Sequence, residues 1–280
     1  LMNLGADALY EERFAQAEAL AQRAHAMLER TLGPRHPRSI YVDNVLALAQ
    51  AGISGHLEAA IGTMAADVDL ARATLPPNTE MLGGVVSVLG DIQFLAGHDA
   101  AAIASLGEAR AILAAAKSSA LGTTELVLGR VELRAHSGDA LATLRDARQR
   151  LAAAHAQEPK YIALADAAYG AALAAGGDVA AGERFARAAR ASLLAGPDAG
   201  SVRLADVDGL LAGILERKGD ATASRQLREE GVAIYRRVYG AGHPCERSLV
   251  AELAAAAPPR AGAAEARETS PARNPLLPDP

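Results

Sequence analysis

The chain has 280 residues, 28 Lys+Arg against 33 Asp+Glu and a formal net charge of -5; half of it is hydrophobic, yet aromatics make up 3% and Trp is absent. The mild acidity, with no basic stripe and no aromatic-interleaved Lys/Arg run, speaks against a nucleic-acid footprint. The single cysteine, Cys245, excludes an internal disulfide framework and a cysteine-based zinc cluster. The apolar runs break well before the roughly 20 residues that a membrane-spanning helix needs. What remains is an Ala- and Leu-rich chain that favours helix, with too few large aromatics for one thick core.

The chain opens Leu1-Met2-Asn3-Leu4-Gly5, with no signal-peptide pattern, and reads as a piece cut from a longer protein. A first helix is expected to turn near Glu12-Arg13, and a second to run to about Leu32. Gly33-Pro34-Arg35-His36-Pro37 then stops that helix with a glycine and starts the next with a proline. Helix pairs are expected over 37–75, 79–117, 122–157, 160–195 and 199–239. The last closes on a relative of the first punctuation, Gly240-Ala241-Gly242-His243-Pro244. A final helix near 245–257 would cap the stack and cover its apolar edge. The predicted solenoid is therefore 1–257. From Pro258 the composition turns Pro- and Ala-rich without helical periodicity, so 258–280 is expected to be a disordered tail.

The pairs repeat. Asp-x-x-Ala follows a short turn at Asp99–Ala102, Asp139–Ala142, Asp178–Ala181 and Asp220–Ala223, with Phe14–Ala17 and His56–Ala59 as earlier copies. The alanine spacings are 42, 43, 40, 39 and 42 residues. Gly138, Gly177 and Gly219 would end one helix in a left-handed conformation, and the aspartate after each would cap the next. The small alanine one turn in would let two helices approach closely. Leu4, Leu46, Leu89 and Leu210 would fill the facing layer, with Gly5, Ala47 and Gly90 keeping the contact tight. Ala24, Ala66, Ala109 and Ala188 would follow on the packed face. Arg130, Tyr169 and Leu211 stand where the facing small residue is expected, which makes the middle units look irregular.

Asn3-Leu4-Gly5, Ala17-Glu18, Ala24 and Leu32-Gly33-Pro34-Arg35-His36-Pro37 resemble the tetratricopeptide repeat of the kinesin-light-chain type, with about 42 residues per unit. The resemblance covers roughly residues 1–255. It implies an all-α superhelix of antiparallel helix pairs that binds protein or peptide on its concave surface and carries no catalytic activity or cofactor. In bacteria, similar repeats are often carried on the C-terminal side of serine/threonine kinases and signalling regulators, which gives the alternative of a regulatory or substrate-recruiting region. HEAT and armadillo arrays share the period and remain the other helical-repeat reading.

Catalytic and metal motifs are not evident. Histidines 25, 36, 56, 98, 136, 155 and 243 form no zinc-protease spacing, and His56 and His98 are read as turn boundaries. Gly52-Ile53-Ser54-Gly55, Gly176-Gly177-Asp178 and Gly240-Ala241-Gly242 lie between helices, whereas a phosphate cradle or nucleophile elbow follows a strand. No kinase catalytic loop is present. An all-α enzyme built from scattered carboxylates is a third reading.

Partner contacts are expected on the first helix of each pair. Counting back from the anchor alanines gives Asn44, Ser87, Asp91, Arg134, Asp166, Asp208 and Glu216, with Tyr10 and Tyr41 adding aromatic contacts. The acidic lean favours a basic or mixed peptide. No nucleic acid or membrane is expected as a partner of this segment. Self-association through the N-terminal edge and a cytoplasmic setting are further expectations.

Overall fold

The computed structural model describes residues 1–33, 36–154 and 159–256. Thirteen α-helices lie among them: α1 Met2–Tyr10, α2 Phe14–Leu32, α3 Ser39–Ala51, α4 Leu57–Thr74, α5 Glu80–Ala96, α6 Asp99–Ala115, α7 Leu121–Ala135, α8 Ala140–Ala154, α9 Pro159–Ala175, α10 Val179–Leu194, α11 Val202–Lys218, α12 Ala221–Tyr239 and α13 Pro244–Ala255. Each expected pair is present, and the chain folds as a tetratricopeptide-like superhelix. The proposed tail over 258–280 lies outside the described residues.

The turn chemistry follows the sequence. Asp139, Asp178 and Asp220 accept the backbone N–H of Ala142, Ala181 and Ala223 at 3.0, 3.0 and 3.1 Å, which satisfies donors that the helix itself cannot. Gly219 closes α11 at φ 90, a left-handed value that glycine adopts without a Cβ penalty.

The packing register differs from the expected one in several units. Asp99 is the first residue of α6, and His98 takes the capping place that Asp139, Asp178 and Asp220 hold elsewhere. The residue that packs is the fourth of each even-numbered helix: Ala17, Ala60, Ala102, Thr143, Gly182 and Ser224, all buried. Ala59, Ala142 and Ala223, expected at that contact, lie one position off and are exposed or only partly buried. Ala66 and Ala188 are likewise exposed, while their neighbours Asp67 and Ala189 are buried.

Facing these positions is a second row: Gly5, Ala47, Gly90, Gly129, Gly170 and Ala212, all buried. The closeness is measurable. A Cβ on Gly90 would lie 2.6 Å from Leu106 Cγ, and one on Gly129 would lie 2.5 Å from Leu144 Cγ. Arg130, Tyr169 and Leu211 therefore do not interrupt the row, because the small residue is the one beside each. The middle units are as regular as the ends. Leu4, expected in the facing layer, is instead 58% exposed.

Successive odd-numbered helices touch along α1, α3, α5, α7, α9 and α11, whereas successive even-numbered helices scarcely meet. The odd row is thus the inner, tighter layer of the superhelix. The last helix, α13, packs on α12 and reaches across to α5.

Candidate functional site

Three faces of the odd helices have separate jobs, and the functional residues sort among them. One face carries the small-residue row just described. A second forms the seam with the preceding unit. Four residues before the small position stand Asp43, Val86, Glu125, Asp166 and Asp208. His25 Nδ1 meets Asp43 at 2.5 Å, Arg148 bonds Asp166, and Arg190 Nε donates to Asp208 at 2.6 Å; each pair is 18 residues apart. Val68 and Val86, at the same spacing, make the equivalent seam apolar within one hydrophobic cluster. Glu125 draws its cations from Arg110 (3.5 Å) and Arg150 (2.9 Å).

Asp43, Glu125 and Asp208 are buried, and burial raises the cost of their charge. It pushes Asp208 up to about 6, with the Arg190 hydrogen bond pulling the other way. Asp67, buried near Asp43, is pushed up to about 7, first by burial and then by that neighbouring carboxylate.

The third face looks into the interior. There α5 supplies Phe94 and Leu95, α7 supplies Arg130, Leu133 and Arg134, and α11 supplies Asp206, Gly209 and Leu210. Together with Tyr235 of α12 and one face of α13 they line a partly open cavity of about 230 Å³. Its polar groups are largely committed to one another. Arg130 donates to Asp206 at 2.8 Å, and Tyr235 Oη–H donates to the same oxygen at 2.7 Å. The Arg134 guanidinium stacks 4.0 Å from the Phe94 ring centre and also binds Asp99 and the Phe94 carbonyl. The partly buried Cys245 lies against this cavity, and burial pushes its thiol up to about 12, which keeps it protonated.

The interior is closed by a clasp between the two ends of the superhelix. Ser54 N–H donates to the Tyr239 carbonyl (3.1 Å), and Ser54 Oγ–H donates to the Ala241 carbonyl (3.0 Å). His243 is fully buried; its Nε2–H donates to the Ala51 carbonyl (3.0 Å), while Nδ1 accepts the Cys245 N–H (3.3 Å). Both ring nitrogens are satisfied in the neutral form, and burial lowers the pKa of this histidine. The Tyr239 ring lies between Phe14, at 5.4 Å, and His243, at 4.2 Å. A second contact joins the same ends: the Glu12 carboxylate accepts the Val202 N–H at the start of α11 (3.1 and 3.4 Å).

Against this geometry the expected partner-contacting residues divide. Tyr41, 51% exposed, and Asp91 share helix positions with the interior residues Asp206 and Arg130. Asp91 Oδ1 is buried without a hydrogen-bond partner among the described residues, and burial pushes that carboxyl up to about 7 against the pull of Arg130. Arg134 lines the cavity. Tyr10, 61% exposed, lies where the first turn meets the 197–203 loop. Asn44 is partly buried. The others are elsewhere. Ser87 is buried and bonded to Thr124 (2.8 Å). Asp166 and Asp208 are seam residues, and Glu216 pairs with Arg228 (2.5 Å). The expected acidic lean rested on Asp91, Asp166, Asp208 and Glu216 against Arg134; of these, Asp166, Asp208 and Glu216 are each paired with an arginine of a neighbouring helix. Sequence reading passed over Phe94, Arg130, Asp206 and His243's tertiary role; the recurrence of Arg/His and Asp at 18 residues was the signal that could have separated seam from groove.

Among the described residues no helix is long and apolar enough to cross a membrane, and no group of three His, Cys, Asp or Glu side chains could hold a metal ion.

A tetratricopeptide-repeat family model matches residues 1–38 and 210–244, the two segments that carry the Gly-x-x-His-Pro type of punctuation. No curated protein sequence matches the chain. Among solved structures, the apo form of RapI is similar with a TM-score of 0.66 at 14% identity, over 85% of this chain and 82% of RapI. BtubC (BKLC) from P. vanneervenii is similar with a TM-score of 0.57 at 15% identity, over 95% of this chain and 98% of that one. A Rap protein complexed with Competence and Sporulation Factor is similar with a TM-score of 0.58 at 14% identity, over 90% of this chain and 63% of that one. The chain is thus a tetratricopeptide-like superhelix with repeats of this family at its two ends.

Proposed function

We propose that the chain is a non-enzymatic protein- or peptide-binding scaffold that uses the inner face of its superhelix. The observation that carries this reading is the division of labour on the odd helices. One face is spent on the small-residue row and one on the seams, which leaves an interior stripe of aromatic, aliphatic and guanidinium side chains that border the cavity. A preformed surface of this kind loses little entropy on binding. The fold has room for such a role, since a Rap protein of similar architecture was solved with Competence and Sporulation Factor bound.

The partner that fits is amphipathic and of mixed charge. Arg130 is paired with Asp206 and Arg134 with Asp99, so neither sign dominates the interior. The test is position-dependent photo-crosslinking. Benzoylphenylalanine at Tyr41, on the inner stripe, should capture a protein or peptide from cell extract; the same probe at the exposed outer residue Ala188 should not. Equal capture at both, or capture only at 188, would remove the inner face as the binding surface.

A further inference from the structure

The interior already holds a helix. Cys245, Ser248, Leu249 and Glu252 of α13 all face the cavity, and they stand at i, i+3, i+4 and i+7. That is the pattern of an amphipathic helix laid in a groove. The wall it meets joins Phe94, Leu133, Arg134 and Leu210 of α5, α7 and α11 to Tyr235 of its sequence neighbour α12, on which α13 also packs. The Glu252 carboxylate accepts from Arg228 Nε at 2.9 Å, and Arg228 is itself almost wholly buried.

The seating leaves room. A partly open cleft of about 230 Å³ remains beside α13 and the wall, space for larger side chains than Cys245 and Ser248 supply. The first two anchors, Cys245 and Ser248, are the small ones. The start of the helix is held by the clasp, because His243 both caps α13 and binds the Ala51 carbonyl. We propose that α13 is an internal, displaceable ligand of this groove. The partner that replaces it is an amphipathic helix with large apolar residues at the first two anchor positions and a carboxylate at the fourth, able to fill the space α13 leaves and to meet Arg228. This inference rests on the inner-face reading above and adds that the face is occluded in cis.

The probe is a fluorescein-labelled peptide copying residues 243–256, with leucine in place of Cys245 and Ser248, titrated against the full chain. Two variants of the full chain move the occlusion in opposite directions. Leu249→Ala with Glu252→Ala loosens α13. Ser54→Cys with Gly240→Cys staples the clasp, since a Cβ on Gly240 would lie 3.7 Å from Ser54 Cβ, within the disulfide range. Any strain from a side chain at Gly240 is present in both redox states of the stapled chain, so oxidised against reduced is the internal comparison.

The peptide should bind the loosened chain at least tenfold more tightly than the parent. It should bind the oxidised staple at least tenfold more weakly than the reduced one. The native Cys245 thiol should report the same order when its modification by a disulfide reagent is timed, being fastest in the loosened chain and slowest under the oxidised staple. If far-UV circular dichroism shows the loosened chain losing helix beyond α13, the staple comparison decides alone. Equal binding to oxidised and reduced staples would overturn the occlusion and leave the inner-face reading standing. No binding to any form, in a loosened chain whose Cys245 has become reactive, would overturn both.

Discussion

After α2, Gly33 sits at φ 86, ψ 164, and His36 Nδ1 accepts the Arg38 N–H at 3.2 Å. After α12, Gly240 sits at φ 86, ψ 159, and His243 Nδ1 accepts the Cys245 N–H at 3.3 Å. The two turns have nearly the same letters, and their glycine and histidine have the same local geometry. His36 is partly exposed, whereas His243 is fully buried, stacked on Tyr239 and bonded through its other nitrogen to Ala51. A short motif therefore specifies how the backbone turns. What the turn is used for depends on which surface the superhelix brings round to meet it.

Substitution of the histidines should break this comparison most sharply. His243→Ala removes a buried ring and leaves the Ala51 carbonyl without its donor, so a cost of about 2–4 kcal/mol is expected. His36→Ala loses one local hydrogen bond, at about 0.5–1 kcal/mol. Urea melts of the two variants, followed by circular dichroism, measure the gap; equal losses would mean that the clasp contributes nothing.

The glycines should show the converse. Gly33 and Gly240 share a backbone conformation that side chains rarely adopt, and a Cβ meets no closer obstacle than 3.7 Å at either. Gly33→Ala and Gly240→Ala should therefore cost about the same, roughly 1–3 kcal/mol each. A difference of several-fold in the same melts would show that the local geometry is not interchangeable.

The smallest effect concerns pH. Burial lowers the pKa of His243, so the unfolded chain takes up this proton before the folded one does. Its contribution is complete above the ordinary histidine range near 6.5 and declines as pH falls through it. Asp67 and Asp91, pushed up to about 7, act in the opposite sense, because their contribution is present in acid and is lost as pH rises toward 7. Melting the parent beside His243→Asn from pH 7.5 to 5.5 separates the two. The parent should lose more, or gain less, than the variant on acidification. Parallel curves would show that His243 does not titrate with folding.

Helix boundaries were legible because caps and stops are local: Asp178 and Gly219 do in three dimensions what their neighbours in sequence require. The packing register was less legible. Ala59 adjoins Ala60, Ala142 adjoins Thr143 and Ala223 adjoins Ser224, and in so Ala-rich a chain the packed residue does not stand out. Thr143 and Ser224 are small enough to fill the role without looking apolar. Asp166 and Asp208 were misplaced for a different reason. Their cations, Arg148 and Arg190, sit on the previous unit's second helix, and helical periodicity within one element does not show which face a neighbouring unit covers. The clasp had no sequence signal, since Glu12, Ala51 and Ser54 meet residues 185 to 192 positions away.

That separation sets an order of events during synthesis. At about 5–20 residues per second, the first two units leave the ribosome roughly 10–40 s before Val202 and His243 exist to meet them. Through that interval Phe14, the Ala51 carbonyl and Ser54 are without their native contacts, and every unit in between can stack on its predecessor as it emerges. Closing the ends comes late in synthesis, and until then the open ends are exposed to a competing neighbour on the same polysome.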